Sequence, residues 1–340
     1  MKLFFLLVAV LNVPAVPLRA WDYEGHRLVN ELALASLPPD FPRFVLTPAA
    51  RERIAFLSDE ADRWRNSTNL AARHVNAPDH YLDLDELPPY GLSAKTVSPF
   101  RYDFVAQLKR AREKHPEQFP RLDPVKNPDH TRDLVGFLPW TINEYFAKLE
   151  SACSYLKAFE QNGGTPGEIA NAQQNVIYYM GVMGHFAGDA SQPLHTTKQY
   201  NGWIGVNPKH FSTNRAIHGW IDGGFIRAVQ LRWDELKRDV RPARSIWSGR
   251  HPDGDVFAES MEFLVAQSAL VDRLYELERV GQFLPARGDV TDGRRFISGQ
   301  LLKGGQFLGD LWFSAWQSAP VDKFVKGELI RRAKANSADR

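Results

Sequence analysis

One cysteine, Cys153, stands among 340 residues. No intrachain disulfide can form, so rigidity must come from packing or from bound metal. No block of like charge appears either: 42 Lys and Arg against 40 Asp and Glu leave a net charge of +2, which excludes a basic arm for duplex DNA and an acidic disordered tail. The longest apolar run near the N-terminus, Leu3 to Leu11, is about half of the roughly 20 residues a membrane span needs, and no later segment approaches that length. Fixed-period repeats and low-complexity tracts are missing, which excludes solenoid and collagen-like architectures. Two-residue apolar alternation is rare, so no sheet is expected.

What the chain does have is 44% hydrophobic and 12% aromatic residues, enough for a large core. Its first twenty residues, MKLFFLLVAVLNVPAVPLRA, read as a secretory leader: a basic start at Lys2, a short apolar stretch, a breaker at Pro14 and small residues near the end. Cleavage after Ala20 would make Trp21 the mature N-terminus; because Leu18 stands where a small residue is usual, a cut after Ala15 is the alternative. Loss of residues 1–20 removes Lys2 and Arg19 and no acid, taking 42 basic residues to 40 against 40 acidic. The mature protein is then neutral, and secreted or periplasmic.

Past the leader, the spacing of apolar residues is helical almost throughout. It predicts single helices over AARERIAFLSDEADRWR, HGWIDGGFIRAVQLRWDELKRD and DVFAESMEFLVAQSALVDRLYELERV, among others. The expected architecture is one all-α, multi-helix domain over 21–319, monomeric, followed by a polar tail over 320–340. Residues 84–139 and 196–217 interrupt it as long Pro- or Gly-rich stretches, which in compact proteins are often functional. Cys153 lies in a helical pattern and reads as a small buried side chain.

Chemistry concentrates in MGHFAGDASQPLH, residues 183–195. On a helix, His185 and Asp189 share one face, which suits two ligands of one ion. Gln192 and Pro193 should end that helix, letting the turn swing His195 back toward the same pocket. HGWID places His218 and Asp222 four apart on another helix. In WDYEGH, a freed amine and carbonyl at Trp21 can chelate a metal, with His26 five residues on. SDEADRWR offers Asp59 and Asp62, and DHYLDLDE offers His80 and Asp83. Each pair alone reads as solvated charge or a cap; together they point to metal.

Taken in order, WxxxGH at Trp21–His26, ADxxR at Ala61–Arg65, H-aromatic-x-D at His80–Asp83, HFxGDxxQPLH at His185–His195 and HxxxD at His218–Asp222 resemble the secreted trinuclear-zinc, single-strand-specific nucleases of the mung bean nuclease type, which are related to bacterial zinc-dependent phospholipase C. The resemblance implies three Zn²⁺ sites: Asp62, His80, His185 and Asp189; His195, His218 and Asp222; and the amine and carbonyl of Trp21 with His26 and a bridging Asp189. It also implies Arg65 beside the scissile phosphate, Asp83 orienting the attacking water or a substrate hydroxyl, and Tyr81 stacking a base. Asp59 is an alternative to Asp62, which keeps an arginine three residues later. The implied activity is hydrolysis of single-stranded DNA or RNA to 5′-phosphates. A phospholipid headgroup is the alternative substrate, and a non-catalytic zinc-binding protein the remaining reading.

Overall fold

The computed structural model describes residues 21–119, 122–246 and 255–338. The expected leader, residues 1–20, lies outside the described residues. Fourteen α-helical segments follow in order among them: α1 Tyr23–Ser36, α2 Pro48–Leu57, α3 Glu60–Arg65, α4 Leu70–Asn76, α5 Arg101–Lys114, α6 Leu138–Gln161, α7 Pro166–Ser191, α8 Ile217–Gly219, α9 Ile226–Ala228, α10 Trp233–Leu236, α11 Val256–Ser268, α12 Val271–Arg279, α13 Thr291–Ser318 and α14 Lys323–Ala338. No strand occurs among the described residues; the single β-bridge joins Leu82 to Gly136. The chain is all-α, as its periodicity predicts.

The core is built around α7. Its start is fixed by a capping box in which Thr165 and Glu168 satisfy each other's backbone N–H groups, with Pro166 at the first position. It ends at Ser191, with Gln192 extended before Pro193. Helices α1, α2, α6, α11 and α13 pack around it. Consequently every residue from Met180 to Ser191 is buried, polar ones included.

Three predicted helices are broken, each with a local cause. AARERIAFLSDEADRWR splits at Ser58 and Asp59: the Ser58 N–H and Oγ–H both turn back to the Ala55 carbonyl, at 3.3 and 2.7 Å, tightening and closing α2. HGWIDGGFIRAVQLRWDELKRD contains a π-helical turn, Trp220–Phe225, and then breaks where Gln230 takes φ 50°. The third breaks at Ala269 and Leu270, between α11 and α12. The insertion over 84–139 carries α5, whose buried Phe104 stacks on Trp140 with ring centroids 4.3 Å apart. The polar tail contains α14, held by buried Leu329 and by Arg332 against Glu168 at 2.8 Å.

Candidate metal centre

Helix α7 presents His185 and Asp189 on one buried face. His185 Nδ1 lies 2.7 Å from the Ser58 carbonyl, an acceptor exposed by the break between α2 and α3. Donation there fixes the tautomer and leaves Nε2 with a lone pair facing inward. The turn Pro193–Thr196 then returns His195, whose Nδ1 donates to the carbonyl of His80 while the Leu82 N–H donates to the His195 carbonyl at 2.9 Å. Two ligand-bearing loops are thereby locked to each other.

Around these residues, donor atoms converge. His80 Nδ1 is 2.9 Å from His185 Nε2 and 3.0 Å from Asp189 Oδ2. His185 Nε2 and Asp189 Oδ2 are 3.3 Å apart. Asp62 Oδ1 lies 3.8 Å from the first imidazole and 3.7 Å from the second. Ligands about 2.0–2.1 Å from a tetrahedral ion stand about 3.3 Å from one another, so these spacings fit one ion held among Asp62, His80 and His185, with Asp189 beside the two imidazoles. Asp59 instead faces Arg63, at 3.6 Å.

A second group shares two of these ligands. Asp189 turns its other oxygen, Oδ1, to within 3.5 Å of His26 Nε2, and the His26 and His185 rings stack at 3.9 Å. This approach needs Gly188, where a Cβ would stand 2.7 Å from His26 Nδ1. Trp21 is fully buried beside them; its indole donates to the Gly188 carbonyl at 2.8 Å and the Asp22 N–H to the Asp222 carbonyl at 3.1 Å. The chain therefore enters α1 between α7 and the π-helical turn.

The third group is His195, His218 and Asp222. The two imidazole Nε2 atoms are 3.1 Å apart, and Asp222 Oδ2 is 2.8 Å from His218 Nε2. Because His195 Nδ1 is committed to a carbonyl, its Nε2 offers a lone pair. Gln192 donates to Asp222 Oδ1, leaving Oδ2 for the cluster.

Three buried His/Asp clusters can thus hold metal ions. Buried polar atoms without a hydrogen bond gather here: His26 Nδ1 and Nε2, Asp62 Oδ2, Asp189 Oδ1 and Asp222 Oδ2. Such atoms are rare in proteins and each needs a partner; a cation supplies it, and nitrogen with carboxylate oxygen suits zinc. Burial holds His80 down to about 4 and His195 to about 3, and burial followed by the His185 charge holds His26 well below its ordinary value. Burial also disfavours charge on His185 and Asp189, yet their mutual attraction outweighs it, raising the imidazole and lowering the carboxyl. Neutral imidazoles are ready ligands, with no proton to displace.

The clusters open onto a cavity of about 570 Å³ walled by Arg65, Tyr81, Asp83, Arg132, His195, Tyr200 and His218 among others, a size typical of small-ligand sites. Arg65 Nε is 2.8 Å from Asp62 Oδ1, which sets the guanidinium beside the first cluster. The Tyr81 hydroxyl donates to the Leu134 carbonyl at 3.4 Å, so its ring lies along the wall. Burial, then the charges of Asp85 and Glu86, push the Asp83 carboxyl well up, with Lys198 opposing.

All nine expected ligands occupy this one region, together with Arg65, Tyr81 and Asp83. Sequence reasoning missed the Ser58 carbonyl and the part of Gln192 as an orienting donor. It also missed Arg101, which ties α5 to the turn bearing His80 by bonding Asp79 at 2.8 Å and Thr141 at 2.6 Å. No spacing rule marks a main-chain carbonyl or a partner 22 residues away. His74, outside the clusters, meets the Asp129 carbonyl at 2.8 Å. Neither the protein-family models nor the curated proteins contain a match to this chain.

Proposed function

We propose that this protein is an exported zinc-dependent phosphodiester hydrolase, acting on single-stranded nucleic acid through three zinc ions, as its motif order resembles the trinuclear-zinc nucleases. The observation that carries the reading is Asp189, whose two oxygens face two different imidazole groups at 3.0 and 3.5 Å, beside a cavity edged by Arg65. Neighbouring cations stabilise the attacking and leaving oxygens of an in-line displacement, and a carboxylate with one oxygen toward each cluster would help to hold two of them.

Zinc, when bound, supplies Lewis acidity that lowers the pKa of water toward about 7 and offsets charge on phosphate oxygens. Asp62, His80, His185 and Asp189 would hold one ion; His26, Asp189 and the main chain of Trp21 a second; His195, His218 and Asp222 the third. Arg65, steadied by Asp62, pairs with a non-bridging oxygen of the substrate. Asp83, on the cavity wall, can hydrogen-bond the attacking water or a substrate hydroxyl and so orient it. Tyr81 presents a ring face that a single-stranded base can cover and a paired base cannot.

A second reading is a phospholipase C. Tyr81, Tyr200 and Asp83 wall the same cavity, and two aromatic rings with a carboxylate can also hold a quaternary ammonium. The deciding experiment gives zinc-loaded protein three substrates side by side: single-stranded DNA, duplex DNA and phosphatidylcholine vesicles. Nucleotide release from the single strand, with little from the duplex, is the expected result; phosphocholine release alone selects the lipid reading. Turnover of none of them, nor of bis-nitrophenyl phosphate, leaves a zinc-binding protein without this activity. The Trp21 assignment has its own check. A chain beginning at Trp21 should bind one more ion than the same chain extended by a single residue, and equal metal content in the two would refute it.

A further inference from the structure

Arg132 is the cation of the cavity that the three clusters leave unused. Its side chain lines the same cavity as Arg65, His195 and His218, it is exposed at the mouth, and it makes no ion pair with a described carboxylate. The loop that carries it is built with care. Asn127, Asp129 and Thr131 are buried in it. The Asn127 side chain accepts from the Arg132 N–H at 3.0 Å, Thr131 donates to Asp129 at 2.9 Å, and Arg73 of α4 pairs with Asp129 at 2.8 Å. His130 takes φ 57° within the same turn, a conformation that costs energy for a side chain with a Cβ. Polar burial and backbone strain together fix the main chain of Arg132 beside the cavity that its side chain lines.

We infer that Arg132 binds a second phosphate of the substrate, adjacent to the phosphodiester that is cut. This rests on the phosphodiesterase reading and narrows it to substrates carrying at least two phosphates, such as oligonucleotides with a terminal phosphate. A zwitterionic headgroup offers one phosphate and then a cation, which Arg132 would repel. Arg65 is ion-paired with Asp62, whereas the Arg132 guanidinium makes no hydrogen bond or ion pair with a described residue and can offer a bidentate contact. Its position beside Leu134, the acceptor for the Tyr81 hydroxyl, puts that phosphate next to a base lying on the ring.

The test is equilibrium binding by calorimetry to the zinc-loaded protein, using phosphorothioate-linked dithymidine in three forms: no terminal phosphate, a 5′-phosphate and a 3′-phosphate. Native protein should bind one phosphorylated form about tenfold more tightly than the bare dinucleotide, the size of one charge-assisted contact at a wetted rim. In Arg132→Ala that preference should vanish while the metal content stays at the native value. Arg132→Lys should restore part of it. No preference in the native protein, or one that survives Arg132→Ala, overturns the inference. If bis-nitrophenyl phosphate is not hydrolysed yet the preference disappears with Arg132, the hydrolase reading fails and the anion site stands.

Discussion

Asp189 is fully buried with one oxygen at 3.0 Å from His80 Nδ1 and the other at 3.5 Å from His26 Nε2. Asp189→Asn keeps its shape but exchanges one ligating oxygen for an N–H donor, so one of the two neighbouring clusters loses its carboxylate. Metal analysis should find at least one ion fewer than in the native protein, with the His195, His218 and Asp222 site still filled, and kcat should fall at least about a hundredfold. An unchanged metal count would contradict the bridging role. The imidazoles give a pH prediction for metal-stripped protein. His80 and His195 are held at about 4 and about 3 by burial, against 6.5 when unfolded. Their neutral forms stabilise the fold above pH 6.5, and that stability is lost as pH falls toward those folded values, because the unfolded chain takes up protons the native one refuses. His185 is raised and opposes the trend. NMR titration of the imidazoles in metal-stripped protein should therefore find His80 and His195 still largely neutral at pH 5; protonation of either ring between pH 6.5 and 5 would mean it is not buried neutral.

Among the elements, the end of α7 was readable in advance, because Gln192 and Pro193 close a helix whose His185 and Asp189 fall four apart. The capping box of Thr165 and Glu168 that begins it was found only in the structure. The breaks were not readable, because nothing at Ser58 or Ala269 resembles a helix breaker, and a serine that closes a helix by bonding its own preceding turn looks the same in sequence as one on a helix surface. The Gly223–Gly224 pair in the π-helical turn was the one local hint, and π-helical turns are often found at functional sites. The glycines inside α7 had no assigned role from spacing alone, yet they let other helices touch it. A Cβ on Gly184 would stand 1.6 Å from Asn30 Oδ1, and Asn30 joins α1 to the Ile54 and Gly181 carbonyls at 2.8 and 3.0 Å. Gly184→Ala should push α1 off α7, strand those two carbonyls and cost about 2–4 kcal/mol by chemical denaturation. Gly163→Ala is a poor comparison because of its φ of 82°; Gly167→Ala, in open space, is the matched control and should be near neutral.

At the scale of the whole molecule, the ligands come from α1, α3, the turn at His80, α7, the turn at His195 and the segment around Asp222. The residue types and their order along the chain were legible, since histidines and carboxylates stand out against an apolar helical background. Their convergence was expected from the resemblance and from the turn at Gln192 and Pro193, but spacing did not show the long-range bonds that hold the loops over 84–139 and 196–217, such as Thr197 and Lys198 to Asp85, at 2.8 and 3.0 Å. With no disulfide available, cations bound at these clusters would cross-link six segments. Ligand binding to the native state alone adds about 4 kcal/mol for a site at a thousandfold excess over its Kd. At about 2.1 cal/mol/K of unfolding entropy per residue, one kcal/mol moves the melting temperature of a chain this size by about 1.5 °C, so filling even one site should raise it by about 6 °C. Calorimetric scans of the protein stripped by chelator and then reloaded with zinc measure this directly. A melting temperature that ignores both treatments would show that these buried imidazoles and carboxylates, although close enough to share ions, hold none that matter to the fold.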